Sequence, residues 1–368
     1  MNLRLFILVG LFAASCVAPG RVASSPTASL TAAPTSAAST TLVPSASPSA
    51  TVVAFPDLPF IVGTNAGDLY FQLVNGQPTG RKVHACDGSI VNLEASGRQA
   101  LFLCYTAFPS TPTLTLYDDD TGMLTAIAKT QSATYALTGT GQVGYVTIGT
   151  QSATAPIPTT RLLLFDLRTG ATTQIDDRYG VAFDVRLTGE GVMVWRPKNS
   201  LSFQRSDAET GTWILRGTTL TKLSQLRLIE GGNGRDLLES ESVDPATGFF
   251  TPACCTYVAS KTTTEQRLTP ADVRNEKGLA LLDDGRIVTW RPENGEYDGS
   301  VVLYNGTTVE RINRGRFSAF RVLRSGDWIV AQEAAPTPAL HAYRTSDGAF
   351  ATMPGSGFST FAFLGPKK

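Results

Sequence analysis

Histidine is nearly absent: 368 residues hold only two, His84 and His341. They lie far apart and neither stands near a second ligand pair, so a Ser-His-Asp triad and a zinc site both lack material. A glycine-rich phosphate loop and EF-hand spacing are missing too. No catalytic residues, metal or cofactor are therefore expected. Net charge is absent as well. Lys plus Arg number 31 and Asp plus Glu 31, leaving no field to draw nucleic acid, and none is expected as a partner. Charged residues of both signs are sparse at 17%. No apolar run reaches the roughly 20 residues that a spanning helix needs. What is plentiful is Gly, 34, and Pro, 21, within 42% hydrophobic residues. That mixture suits strands joined by turns around a sizeable core.

The N-terminus carries export information. "MNLRLFILVGLFAASC" has a basic start at Arg4, an apolar run from Leu5 to Ala14 and small residues before Cys16, the form of a signal peptide. "AASC" resembles the bacterial lipobox, although Ala13 replaces the usual Leu. The resemblance implies a signal over residues 1–15 and Cys16 as the lipidated first residue. It also implies an extracytoplasmic protein anchored to a bacterial membrane. A plain secretory signal with an incidental cysteine is the other reading. Residues 16–56 follow as a tether. Ala, Ser, Thr and Pro dominate it and Arg21 is the only charge before Asp57. Such a segment buries too little apolar surface to offset its ordering entropy and is expected to be disordered.

"DDTGMLT", 119–125, resembles the phosphorylated loop of P-type ion pumps. However, Asp120 stands where that loop needs Lys, and the three carboxylates Asp118 to Asp120 would repel a phosphate. The pattern also recurs. "LTLYDDDTGMLTAI" from Leu114 is echoed by "LLLFDLRTGATTQI" from Leu162. Each reads as a strand, an Asp-x-x-Thr-Gly turn and a second strand, because Asp bonds nearby backbone and Gly accepts positive φ.

From about Phe60 the whole chain repeats. Strand centres fall at Tyr70, Tyr117, Phe165, Trp213, Tyr257, Tyr304 and Tyr343, at roughly 39–48-residue spacing, near the ~40–45 of a four-stranded propeller blade. Upstream of most stands a Gly turn between strands, as in "EASGRQALFLC" and "LDDGRIVTWR". The first unit lacks a leading strand, and the chain ends in the lone strand "FSTFAFLG". These features resemble the bacterial propellers of the TolB, quinoprotein and WD-repeat type. The resemblance implies an all-β fold over residues 57–366: a seven-bladed β-propeller of four-stranded antiparallel blades. The C-terminal strand would join the N-terminal blade to close it. Six or eight blades are the alternatives.

Export would permit disulfides. A hairpin centred near position 95 sets Cys86 opposite Cys104, which predicts a Cys86–Cys104 bond. Cys254 and Cys255 are adjacent and read either as a strained bonded pair or as two separate thiols. The longest connections join the second and third strands of each unit. They hold Phe108, Arg196, Phe203, Arg205, Phe249, Phe250, Arg291 and Tyr297, residue types that dominate binding hot spots. Two readings stand for these side chains, recognition or packing under their own loops. The leading expectation is a membrane-anchored binding module for an envelope protein or glycan. The alternative is a carbohydrate- or lactone-active enzyme using the carboxylates Glu94, Asp184 and Glu230.

Overall fold

The computed structural model describes residues 52–365 apart from connecting stretches, the longest at 149–159, 177–183, 244–249 and 268–276. The proposed signal, Cys16 and most of the tether lie outside the described residues. Among those described, every regular element is a β-strand.

Alternating apolar and polar residues, cut by Gly turns, fold into small antiparallel sheets. Five are four-stranded blades. The first combines Phe60–Gly63, Asp68–Val74 and Gln77–His84 with the last strand of the chain, Thr360–Phe363. The second runs Ser89–Ser96, Gln99–Tyr105, Thr113–Asp118 and Met123–Lys129. The third is Tyr135–Leu137, Gln142–Ile148, Thr160–Asp166 and Thr172–Asp176. The fourth is Asp184–Thr188, Gly191–Arg196, Gly211–Arg216 and Thr219–Ser224. The fifth is Arg227–Gly232, Arg235–Val243, Phe250–Ser260 and Gln266–Arg267. Residues 277–354 form one seven-stranded sheet instead. The expectation of seven separate blades therefore needs correcting to five. The cause is the 16-residue strand Thr308–Leu323. Its first half pairs with Asp298–Asn305 and its second with Trp328–Glu333, so no break divides the ladder.

The leading strand missing from the first unit is supplied from the far end of the chain. Phe60 faces Phe363 and Gly63 faces Thr360 in an antiparallel ladder. Leu364 N and Ser359 N donate to Pro59 O and Gly63 O at 2.9 and 2.8 Å.

The core lies between sheets. Ile61 and Leu69 of the first blade pack on Ile90, Phe102 and Tyr117 of the second. Leu101, Leu103 and Leu116 of the second meet Leu137, Val143 and Tyr145 of the third. Each such side chain contributes about 1.5–3 kcal/mol on burial.

The turns work as their sequences suggest. Asn75 and Gly76 both have positive φ, 51° and 77°, the geometry of a two-residue hairpin whose twist matches its strands. Asp118 Oδ1 accepts from the backbone N–H of Asp120 and Thr121 and from the Thr121 hydroxyl at 3.0–3.1 Å. Asp166 repeats that arrangement with Arg168 and Thr169. The donors from Thr169 and Arg168 hold the Asp166 carboxyl below its usual range. Asp119, the residue aligned with the pump phospho-acceptor, is the side chain that packs inward at 1% exposure between Arg81 and Arg98. Tyr117 accepts from Arg81 at 2.9 Å and donates to Asp119 at 3.1 Å. The loop is a structural turn.

Candidate binding face

Two kinds of connection alternate along each blade, and they fall on opposite ends of the strands. First-to-second and third-to-fourth connections are tight: Ser96 to Gln99, Thr188 to Gly191, Val74 to Gln77, Arg216 to Thr219. In the first blade the second-to-third connection, Gly63 to Asp68, is short, but in the next three blades it is long: Tyr105 to Thr113, Ile148 to Thr160, Arg196 to Gly211. The last of these carries its own small hairpin, Asn199–Ser200 paired with Phe203–Gln204. Antiparallel geometry puts these long connections on the same side as the links between blades.

Four predicted face residues can be placed. Arg196 ends its strand opposite Gly211. Phe203 sits in the extra hairpin, opposite Ser200. Phe250 opens its strand opposite Val243. Arg291 stands one residue before its strand ends at Pro292, and its Nη2 donates to the Tyr304 hydroxyl at 2.8 Å. Arg196 and Phe203 share one connection, whereas Phe250 and Arg291 belong to two other sheets, so the structure does not gather all four. Phe108, Arg205, Phe249 and Tyr297 lie outside the described residues.

The predicted Cys86–Cys104 disulfide forms, with Cα atoms 6.2 Å apart, but for a different reason. The hairpin is centred at Gly97 and Arg98, with Ser96 facing Gln99, and after a register shift between Val91 and Glu94 Cys104 pairs with Ile90. Cys86 belongs instead to the link between the first two blades. Two glycines let this link fold back. Gly67 has φ +78° and a Cβ there would sit 1.7 Å from Cys86 O, while a Cβ on Gly88 would meet Tyr105 O at 1.8 Å.

Beside the disulfide lies a polar cluster that the sequence reading missed. Asp68, its side chain only 9% exposed, takes Lys82 Nζ at 2.8 Å and His84 Nδ1 at 2.9 Å. His84, 58% exposed, places Nε2 3.1 Å from Asp87 Oδ1. Burial pushes the Asp68 carboxyl up, but hydrogen bonds from Lys82 and His84 outweigh it and hold the carboxyl below its usual range. Hydrogen bonds to Asp68 and then Asp87 push the His84 imidazole up. Both ring nitrogens face carboxylates, so the imidazole serves as a charged clasp on the disulfide-bearing link rather than as a free base. Part of the signal was present: Lys82 and His84 alternate onto one face of a strand, but the Asn75-Gly76 turn alone sets Val83 opposite Asp68, and only the register shift between Tyr70 and Gln72 brings His84 there. Near the end of the chain His341 pairs with Glu333 at 3.0 Å. Among the described residues, no group of His, Cys, Asp or Glu could hold a metal ion, and no helix is long and apolar enough to cross a membrane.

No protein-family model matches the chain, and no curated protein matches it. Solved structures do. The β-propeller domain of the Trilobed protease from Pyrococcus furiosus, which has an open velcro topology, matches at TM-score 0.51. Identity there is 11%, covering 82% of this chain and 97% of that one. The fold is an all-β propeller. An acylaminoacyl peptidase in complex with Z-Gly-Gly-Phe-chloromethyl ketone matches at TM-score 0.54 and 11% identity, over 80% of this chain. The propeller chain spans 50% of that peptidase's length. TolB from Acinetobacter baumannii aligns at TM-score 0.45 and 11% identity, covering 84% of this chain and 67% of that one. At such identities the likeness to the Trilobed protease propeller and to the acylaminoacyl peptidase carries architecture alone.

Proposed function

We propose that this protein is a lipid-anchored extracytoplasmic propeller whose long-loop face binds a protein or glycan of the cell envelope. The observation behind the reading is the asymmetry of the connections. One end of the strands carries tight turns, the other carries connections such as Arg196 to Gly211 with its own hairpin. Loops held by a rigid scaffold are the usual carriers of recognition. Arg196, Phe203 and Phe250 sit at or within those connections. In this reading Cys16 bears the lipid and residues 16–56 tether the propeller to the membrane.

The same reading takes the fold as a ring of seven blades. Val288, Trp290 and Leu303 pack on Ile329, Ala331 and Tyr343, which supports counting the seven-stranded sheet as two blades sharing Thr308–Leu323. Val330, Leu340 and Met353 pack on Phe60, Val62 and Phe361, which supports closure of the ring.

Catalysis by Glu94, Asp184 and Glu230 has less behind it. Glu94 and Glu230 each stand two residues before their strands end at Ser96 and Gly232, whereas Asp184 stands four before Thr188. That offsets Asp184 by about 7 Å along the strand direction.

The test is affinity capture from solubilised membranes with the full chain, read by mass spectrometry and repeated with Phe250→Ala. The binding reading expects a captured species that Phe250→Ala loses while the fold is retained. Turnover of a sugar or lactone, abolished by Asp184→Asn and Glu230→Gln with capture intact, would replace it.

A further inference from the structure

Three backbone segments converge on the loop face where the first blade meets the second. Ile90 N donates to Thr64 O at 3.0 Å, and Ala85 N and Cys86 N donate to Gly67 O at 2.8 and 3.1 Å. Ser89 Oγ donates to Asn65 O at 3.2 Å. The Cys86–Cys104 bond ties this link to the strand that ends at Tyr105. Tyr105 is 36% exposed, the one aromatic among the exposed large hydrophobic side chains of the described residues. Ser89 faces it across the ladder, which sets their Cβ atoms about 4.5–5.5 Å apart on one side of the sheet. Asp87, two positions before Ser89, has a side chain 95% exposed. His84 Nε2 holds its Oδ1 at 3.1 Å, and no described residue bonds its Oδ2. Asn65 and Thr106 are exposed in the same segments.

We infer that this junction binds one or two sugar rings of a glycan. The inference rests on the loop face being the binding face, and it names a site and a ligand class there. The electron-rich face of the Tyr105 ring suits the C–H-bearing face of a pyranose. The open Asp87 oxygen accepts a sugar hydroxyl in a charge-assisted bond, and the Asn65 amide both donates and accepts. Lys82 and His84 offset Asp68 and Asp87, so no net charge selects an ionic ligand. One step across a ladder and two residues of chain span roughly 12 Å at most. That fits a sugar or two and falls far short of the ~800 Å² that each protein partner buries. The disulfide fixes the three segments before a ligand arrives, so binding has little left to order.

Saturation-transfer NMR on the full chain tests it, with soluble disaccharides of glucose, mannose, galactose and N-acetylglucosamine as probes. Transfer to the ring C–H protons of at least one is expected. Tyr105→Ala and Asp87→Ala should each weaken binding about tenfold, whereas Tyr105→Phe, which keeps the ring, should retain most of it. Transfer to none of the probes would overturn the inference, as would binding that Tyr105→Ala leaves unchanged. So would trilysine, but no sugar, binding in a manner dependent on Tyr105 and Asp87. Capture from solubilised membranes separates the site from the wider reading. A species lost with Phe250→Ala but kept with Tyr105→Ala would sink this site and leave the loop-face reading standing. Sugar binding that needs Tyr105, with nothing captured from membranes, would do the reverse.

Discussion

Val62, in the first described strand, faces Phe361, in the last, across an antiparallel ladder. Phe361 is 2% exposed and packs edge-on against Phe60 at 6.0 Å. Phe361→Ala removes a buried ring at the junction of the chain's two ends and should cost about 3–5 kcal/mol. Urea unfolding of the full chain measures this. A loss below ~1 kcal/mol would mean the final strand adds little to the fold.

The Cys86–Cys104 bond closes an 18-residue separation. Replacing both cysteines with Ser should lower stability by about 3 kcal/mol, chiefly through a freer unfolded chain. Comparing denaturation midpoints of the two proteins without reductant checks the figure.

His84 gives a pH dependence with a definite sign. Its folded pKa is raised above the ordinary 6.5 by Asp68 and Asp87. Its contribution is fully present below 6.5 and is lost as pH rises through the higher folded value. An NMR titration should place the His84 midpoint above 6.5, and Asp87→Asn should lower it. His84→Gln should remove the corresponding slope from a stability-against-pH curve.

Asp118 and Asp119 are neighbours with different work. Asp118→Ala removes three turn-capping hydrogen bonds at the surface and should cost about 1–2 kcal/mol. Asp119→Ala leaves Arg81 and Arg98 facing one another without their shared carboxylate. It should cost about 3 kcal/mol, at the low end for a broken buried pair because Arg81 stays half-exposed. Parallel thermal melts separate the two. Incubation with ATP should leave no acyl-phosphate on either residue.

Much of this was readable along the chain. The Gly turns, the Asp-x-x-Thr-Gly caps and the strand centres from Tyr70 to Tyr343 are local. Each depends on residues a few positions apart, and each took the form its residues dictate. What misled were slips in register. The Cys86–Cys104 bond was expected from a ladder pairing about position 95, but the turn lies at Gly97 and Arg98, and the register shift between Val91 and Glu94 moves the pairing one residue further, so Ile90 stands opposite Cys104. Asn92, inside that shift, adopts a φ of 53°, which alternation of apolar residues gives no means of foreseeing. Thr308–Leu323 likewise runs on through a point where a boundary between blades was expected. The Lys82, His84, Asp68 and Asp87 cluster needed two strands and a link to meet, and pairwise register alone supplied only its first half.

The sequence by itself determined that the chain is built of strands and, within a few residues, where most of its turns fall, because turn chemistry and alternation act over neighbouring residues. Tertiary structure decided which strands share a sheet, that the last strand completes the first blade, and that Asp119 is clasped by two arginines while Asp118 caps a surface turn. Those outcomes depend on contacts between residues up to hundreds of positions apart, and only packing in three dimensions chooses among them.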